Sequence, residues 1–180
     1  ANAKIMNRKA ATTIPTTTKP RFQHEAEMFA RELASLSVDD LAAVLHCNSK
    51  IAAENLLRFQ SFAVSDEYIP AILAYNGQAY KYLRAAEFDT TDFTFAQQHL
   101  FILSFLYGML RPLDLIHPYR LEERCQLTAT GDKSLADFWK ERLTDVLINT
   151  VKADDGILVH LATEEYEHLF NWRRVCDEVN

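Results

Sequence analysis

The chain has 180 residues, 48% of them hydrophobic and 24% charged, and a formal net charge of −6 at pH 7. The length is sufficient for one sizeable core, the composition is that of a globular protein, and the acidic balance argues against a dedicated nucleic-acid-binding domain, which is usually basic. No apolar run approaches the ~18 residues of a membrane span, and the basic start is not followed by the apolar segment of a signal peptide.

The first part of the chain predicts a basic arm followed by helices. The Thr- and Pro-rich segment ATTIPTTTKP has no helical period and predicts an extended loop. From Phe22 onward, apolar residues recur at the spacing of one helical face. Ser37 with Asp40 matches a capping box, and either Asn48 or Ser49 is expected to cap the next helix after the break HCNSK. The face predicted to be buried consists of Phe22, Ala26, Phe29, Ala30 and Leu33.

The middle of the chain predicts a strand, a short helix and a buried helix. YIPAILAY is typical of a strand, and a turn at Asn-Gly precedes a short helix that ends at Leu83. Thr94 and Gln97 match a second capping box, so a helix is expected to start there. Residues 100–110 are apolar on nearly every side, which predicts that this helix continues, buried, as far as Pro112.

The last part of the chain predicts an amphipathic helix and a second strand. Ser134 and Asp137 cap the helix in SLADFWKERLTDVLINTV, GILVHLA is typical of a strand, and Thr163 opens a helix through Leu169. Strands separated by long helical stretches predict the α+β class. We therefore expect a single helix-rich domain over residues 1–180, built around a small mixed sheet.

Motifs for common chemistry are absent from the sequence. It has no GxGxxG, Walker or HExxH motif and no zinc-binding spacing. Glu165 and His168 form an ExxH pair, but di-iron bundles use this motif twice, so we expect a solvated helix face, no metal and no cofactor. The three cysteines form no CxxC pair, which predicts free thiols in a reducing compartment.

A charged segment directly follows the most apolar part of the chain, in LYGMLRPLDLIHPYRLEERC. One interpretation is an anion-binding or proton-handling pocket, since arginine forks bind carboxylates and phosphates. The other is a proline-stiffened connector whose charges cancel as internal salt bridges. The residues that would line the pocket are Arg111, Asp114, His117, Tyr119, Arg120 and Glu122.

The segment FAQQHLFILSFLYGMLRPLDLIHPYRLE resembles the signature block of the YaaA family of bacterial peroxide-stress proteins. NAKIM, AILAYNGQAYKYL and LATEEY are similar to three further blocks of that family, so the resemblance covers most of the chain. It implies a compact cytoplasmic α/β domain that limits free iron and its damage to DNA. It implies no settled enzymatic reaction, and we expect a role other than catalysis. Since family members are longer, we expect their first strand and C-terminal portion to lie outside this sequence, leaving the strands ILVHLA and AILAY exposed.

The resemblance also implies double-stranded DNA as a partner, bound through a helix-hairpin-helix element. Its position in this chain is VDDLAAVLHCNSKIAAENLLRF, in which polar residues replace the usual hairpin glycines. The backbone amides of Asn48, Ser49 and Lys50 are predicted to hold a phosphate, and Arg58 a neighbouring one. The alternative interpretation is a plain helical hairpin that packs into the core.

Two other functions stay open. The chain is a small-molecule enzyme or anion-binding protein if Lys4 joins the segment from Arg111 to Glu122 in one pocket. It is an iron-sequestering protein if carboxylates or imidazoles cluster in the fold, although the sequence displays no such cluster.

Overall fold

The computed structural model describes Met6 and residues 14–179, and its contacts divide the chain into two compact units, Ala1–Leu121 and Glu122–Asn180. Helices and short strands occur together, which confirms the α+β class. The helices of the first unit are α1 (Gln23–Ala34), α2 (Val38–Val44), α3 (Ser49–Ser61), α4 (Ala71–Ala74), α5 (Gln78–Leu83) and α6 (Thr90–His99). Its strands are β1 (Ile69–Pro70), β2 (Ile102–Ser104), β3 (Gly108–Leu110) and β4 (Leu115–Ile116). The second unit contains α7 (Leu135–Ala153) and α8 (Trp172–Val179).

Helices α1, α2 and α3 form the helical layer of the first unit, in which α1 and α2 both pack against α3. The face predicted for α1 is confirmed, because Phe22, Ala26, Phe29, Ala30 and Leu33 are all buried. The cap predicted for α2 is also confirmed: the amide of Asp40 donates to the hydroxyl of Ser37 at 3.1 Å.

The strands form two antiparallel pairs. Strand β1 pairs with β4, while β2 and β3 form a hairpin. Thr18 adds a parallel bridge to Asp114 beside β4, since its amide donates to the carbonyl of Leu113 at 3.0 Å and its carbonyl accepts from Leu115 at 2.9 Å. The extended segment around Thr18 is thereby held against the chain that follows Pro112.

The prediction of one long helix from Thr94 through residues 100–110 is wrong. Helix α6 starts four residues earlier, where Asp89 and Asp92 form the capping box, and it ends at His99. Residues 100–110 instead form the β2–β3 hairpin, whose Gly108 has a left-handed φ of 70° that a continuing helix excludes. An apolar run that is buried on all sides has no periodicity, so its pattern does not distinguish a helix from a strand.

The two other predicted strands also differ from the structure. In YIPAILAY only Ile69–Pro70 is a strand, and the next four residues form α4, all of which are buried. GILVHLA forms no strand, and its Ile157, Val159 and Leu161 are 70%, 69% and 86% exposed. The expected exposure is therefore found in ILVHLA, whereas the prediction that AILAY is exposed is wrong.

The second unit is organised by α7, which starts at the predicted cap Ser134. One face of α7 is buried and packs against the 3-10 helix Glu164–Leu169 and against α8. The hydroxyl of Thr144 in α7 accepts a hydrogen bond from the amide of Asn171 at 3.1 Å, which fixes the start of α8. Among the described helices of both units, none combines the length and the apolar character that a membrane crossing requires.

Candidate functional site

The predicted DNA-binding element is a helical hairpin made of α2, α3 and the four residues between them. His46 adopts a left-handed φ of 48° in this turn, a conformation that glycine usually supplies. The side chain of Asn48 accepts a hydrogen bond from the amide of Ile51 at 2.9 Å, so Asn48 is the cap of α3. The sequence left Asn48 and Ser49 as alternatives, and the structure shows that Asn48 is the cap.

The first turn of α3 faces solvent, since Asn48, Ser49 and Lys50 are all exposed. The first amides of a helix have no carbonyl four residues earlier to bond, and the helix dipole adds partial positive charge at this end. Arg58 lies eight residues further along, is half-buried and contacts Glu54 at 2.5 Å. The predicted phosphate ligands therefore divide into an exposed first turn and an arginine that is already paired.

The same hairpin contributes to the core. Leu41 and Leu45 of its first half are buried, as are Ala52 and Phe59 of α3. This packing gives the exposed first turn of α3 a rigid base. The described contacts fit both interpretations of the hairpin, so its binding of DNA stays a prediction.

The segment after Pro112 is organised by the carboxylate of Asp114, which is 1% exposed. Its Oδ1 accepts from the Thr18 hydroxyl at 2.6 Å and from the guanidinium of Arg111 at 3.0 Å, and its Oδ2 accepts from the Arg111 amide at 2.7 Å. Gln97 extends the network, because its amide nitrogen donates to Thr18 at 3.1 Å. Asp114 thus acts as an internal anchor, as the interpretation of internal salt bridges proposes for this residue.

His117 is buried and packs between two aromatic rings that are tilted relative to its imidazole, with centroid distances of 4.9 Å to Phe62 and 4.2 Å to Tyr68. Its Nδ1 lies 3.1 Å from the carbonyl of Glu67, so Nδ1 carries the hydrogen and donates. Its Nε2 is buried and has no hydrogen-bond partner among the described residues. Burial lowers the pKa of His117 below its ordinary value, although the bond to Glu67 opposes this effect.

Tyr119 is also buried, and its hydroxyl contacts the hydroxyls of Ser104 at 2.6 Å and Tyr75 at 2.9 Å. Burial raises the pKa of Tyr119. Tyr107 lies between the two predicted site residues, because its hydroxyl accepts from the amide of His117 at 3.0 Å and its ring is 5.7 Å from that of Tyr119. The structure therefore brings His117 and Tyr119 together through Tyr107.

The remaining pocket residues are placed differently. Arg120 is half-buried, and Glu122 belongs to the second unit. Lys4 lies outside the described residues. The anion-binding pocket accordingly stays a prediction.

Sequence reasoning missed five residues of these networks, which are Thr18, Tyr75, Gln97, Ser104 and Tyr107. The last three lie within FAQQHLFILSFLYGMLRPLDLIHPYRLE and Tyr75 lies within AILAYNGQAYKYL, so these two family blocks were the available signal. Thr18 lies in a run of three threonines, in which no residue pattern distinguishes one hydroxyl from the next.

The second unit contains a small cluster of acidic residues around the ExxH pair. His168 contacts Glu123 at 2.5 Å, and the pKa of Glu165 is raised by burial and by the charges of Glu122 and Glu123. Over Met6 and residues 14–179, no group of three or more His, Cys, Asp or Glu side chains is arranged to hold a metal ion.

Comparison with known proteins places these features in a family context. A family model described as "Peroxide stress protein YaaA" matches residues 1–180. A "UPF0246 protein" of Bacteroides thetaiotaomicron is 44% identical over 98% of this chain and 69% of its own length. A UPF0246 protein of Phocaeicola vulgatus is 46% identical over 98% of this chain and 70% of its own length. One of Tolumonas auensis is 35% identical over 98% of this chain and 70% of its own length.

Proposed function

Because the chain belongs to the peroxide stress protein YaaA family, we propose that it acts in the cytoplasm during peroxide stress, where it limits free iron and binds duplex DNA without sequence preference. The observation that supports DNA as the partner is the exposed first turn of α3, which the buried residues of the α2–α3 hairpin anchor to the core. The limitation of free iron rests on the family resemblance, and the level of chelatable iron in peroxide-treated cells with and without the protein tests it.

The proposed contacts are one phosphate group of the DNA backbone at the first turn of α3 and a neighbouring phosphate at Arg58. The amides of Asn48, Ser49 and Lys50 supply hydrogen-bond donors and the helix dipole supplies partial positive charge. The hydroxyl of Ser49 adds a donor and the ammonium of Lys50 adds a full charge. None of these groups reads a base edge, so the binding is independent of sequence.

Local and global charges act in opposite directions at this site. The net charge of −6 repels DNA at long range, an effect that salt screens. Near α3, the carboxylate of Glu54 is neutralised by Arg58, so the first turn keeps the positive charge of Lys50. We therefore expect weak binding that falls steeply as salt rises.

The test is a titration of a fluorescent duplex at several salt concentrations, with the wild type and a Lys50→Ala, Arg58→Ala double variant. Losing two phosphate contacts is expected to flatten the slope of log affinity against log salt by about 2 units. A duplex of unrelated sequence is expected to give the same change.

The matched control is an Arg31→Ala, Lys81→Ala double variant, which removes the same charge from two exposed positions on α1 and α5. Its slope is expected to equal that of the wild type. If both double variants flatten the slope equally, net charge governs binding and the hairpin is not the site. If neither changes the affinity, DNA binds outside α2 and α3.

A further inference from the structure

Four tyrosines of the first unit form a continuous row of ring contacts in its interior, one stacked and two edge-to-face, which we call the tyrosine stack. Tyr75, Tyr80, Tyr107 and Tyr119 are 3%, 6%, 0% and 7% exposed. The ring centroids are 5.4 Å apart between Tyr80 and Tyr75, 6.4 Å between Tyr75 and Tyr119 and 5.7 Å between Tyr119 and Tyr107. Each ring is therefore in direct contact with the next one.

The directions of the hydrogen bonds around Tyr119 follow from the number of hydrogens and lone pairs on each hydroxyl group. The hydroxyl oxygen of Ser104 accepts from the amides of Leu106 at 3.1 Å and of Tyr107 at 2.9 Å, which uses both of its lone pairs. Its hydrogen must then be donated to Tyr119 at 2.6 Å. The hydrogen of Tyr119 is consequently donated to the oxygen of Tyr75 at 2.9 Å.

We propose that the tyrosine stack accepts the oxidising equivalent of a one-electron oxidant of the hydroxyl-radical class and holds it as a radical on Tyr119. The oxygen of Tyr119 has two hydroxyl partners, of which Ser104 already donates to it. Tyr75 accepts the phenolic proton of Tyr119, and the rings of the stack connect Tyr119 with its neighbours. This activity does not depend on DNA binding.

The reaction balances with the oxidant named. The hydroxyl radical takes one electron from the stack and becomes hydroxide. The hydroxyl of Tyr119 breaks its O–H bond and passes the proton to Tyr75, which releases its own proton. This proton combines in solution with the hydroxide to form water. The sum is a tyrosine and a hydroxyl radical giving a tyrosyl radical and water. The proton that Tyr75 received then hydrogen-bonds to the radical oxygen.

A route connects the tyrosine stack with the surface. Tyr107 lies 6.1 Å from Phe62 between centroids, and Phe62 lies 4.9 Å from His117. The imidazole of His117 is 4.2 Å from the ring of Tyr68, which is 40% exposed. Tyr68 is therefore the entry point at which a diffusing oxidant meets the chain of rings.

The experiment uses the purified chain without DNA, oxidised by persulfate with a photoexcited ruthenium tris-bipyridine complex and frozen at set times for electron paramagnetic resonance. A tyrosyl signal is expected to outlive the signals of exposed tyrosines, which decay by coupling between molecules. Tyr119→Phe is expected to abolish the long-lived signal, because it removes the hydroxyl from which the radical forms. Exchange into deuterium oxide is expected to reveal two exchangeable hydrogens that are hydrogen-bonded to the radical oxygen in the wild type, from Ser104 and Tyr75. In Tyr75→Phe only one is expected.

The matched control is Tyr82→Phe, because Tyr82 is 81% exposed and lies outside the stack. This control is expected to keep the long-lived signal, and thermal unfolding of each variant shows whether its fold is retained. A long-lived signal that persists in folded Tyr119→Phe, or one that is lost in Tyr82→Phe, would overturn the proposal. A wild-type signal with no exchangeable hydrogen bonded to the radical oxygen by a hydrogen bond would also overturn it.

Discussion

At the scale of single residues, Asp114 carries more of the stability than the arginine beside it. Its buried carboxylate accepts three hydrogen bonds, whereas the side chain of Arg111 is 42% exposed. Asp114→Ala is expected to lower the free energy of unfolding by about 2 to 4 kcal/mol, because three donors lose their acceptor. Arg111→Ala is expected to lower it by only about 0.5 to 1 kcal/mol, because a solvent-exposed ion pair contributes little.

Urea unfolding at pH 7 measures both changes. Asp66→Asn is a suitable control, since Asp66 is exposed and a surface substitution usually changes stability by less than about 0.5 kcal/mol. Equal losses in Asp114→Ala and Arg111→Ala would show that the ion pair, and not the anchoring of the Arg111 amide and Thr18, dominates the network.

A second residue-scale prediction concerns pH. The pKa of His117 is lowered in the folded state by burial, so below the ordinary value of about 6.5 the unfolded chain binds a proton that the folded chain does not. The stability contributed by His117 is therefore fully present above that pH and is lost as the pH falls towards the folded pKa. The slope is at most about 1.4 kcal/mol per pH unit.

Urea midpoints between pH 8 and pH 5 test this dependence. His117→Gln is expected to flatten the curve below about pH 6.5, whereas the exposed His24→Gln is expected to leave its shape unchanged. If His117→Gln retains the full slope, another group is responsible for the loss of stability in acid.

At the scale of elements, substitutions of Asn48, the cap of α3, distinguish an effect on folding from an effect on DNA binding. Asn48→Ala removes the bond to Ile51 and is expected to destabilise the protein by about 1 kcal/mol. Asn48→Asp keeps the cap and favours the helix dipole, but it places a negative charge where the phosphate is proposed to bind. We expect Asn48→Asp to be as stable as the wild type and to bind duplex DNA more weakly.

Thermal unfolding and anisotropy titration of the same samples provide the two readouts. Unchanged DNA affinity in Asn48→Asp would place the binding site away from the first turn of α3. Ser37→Asp, at the cap of α2, is the matched control for the added charge.

The elements also show what the sequence predicts well. Ser37 and Ser134 mark helix starts because a side-chain oxygen three residues before an amide is a local signal. The sequence of residues 100–110 does not distinguish a helix from a hairpin, because an almost wholly apolar run has no periodicity that indicates its backbone. The bond between Thr18 and Asp114 was not predictable, since it depends on how distant segments of the chain meet.

At the scale of the whole molecule, the question is whether net or local charge controls binding to DNA. Glu54→Gln and Glu164→Gln each reduce the net negative charge by one unit, but only Glu54→Gln also releases Arg58 near the proposed site. Glu54→Gln is expected to tighten DNA binding more than Glu164→Gln in low salt, because only Glu54→Gln frees Arg58 to contact a phosphate.

Anisotropy titration of the two variants, side by side at each salt concentration, measures the difference. Equal gains in affinity would show that the net charge of the whole chain affects DNA binding more than the ion pair between Glu54 and Arg58 does.

The hydrogen bond from Thr18 to Asp114 has a consequence for how the protein is made. The two residues are 96 positions apart, and at roughly 5 to 20 residues per second a ribosome needs on the order of 5 to 20 s to add that length. During this interval the segment around Thr18 and the apolar face of α1 have emerged without the carboxylate that later holds them. The nascent chain therefore exposes this apolar face until Asp114 leaves the exit tunnel, and we expect a slow stretch of translation after Asp114 to favour correct folding.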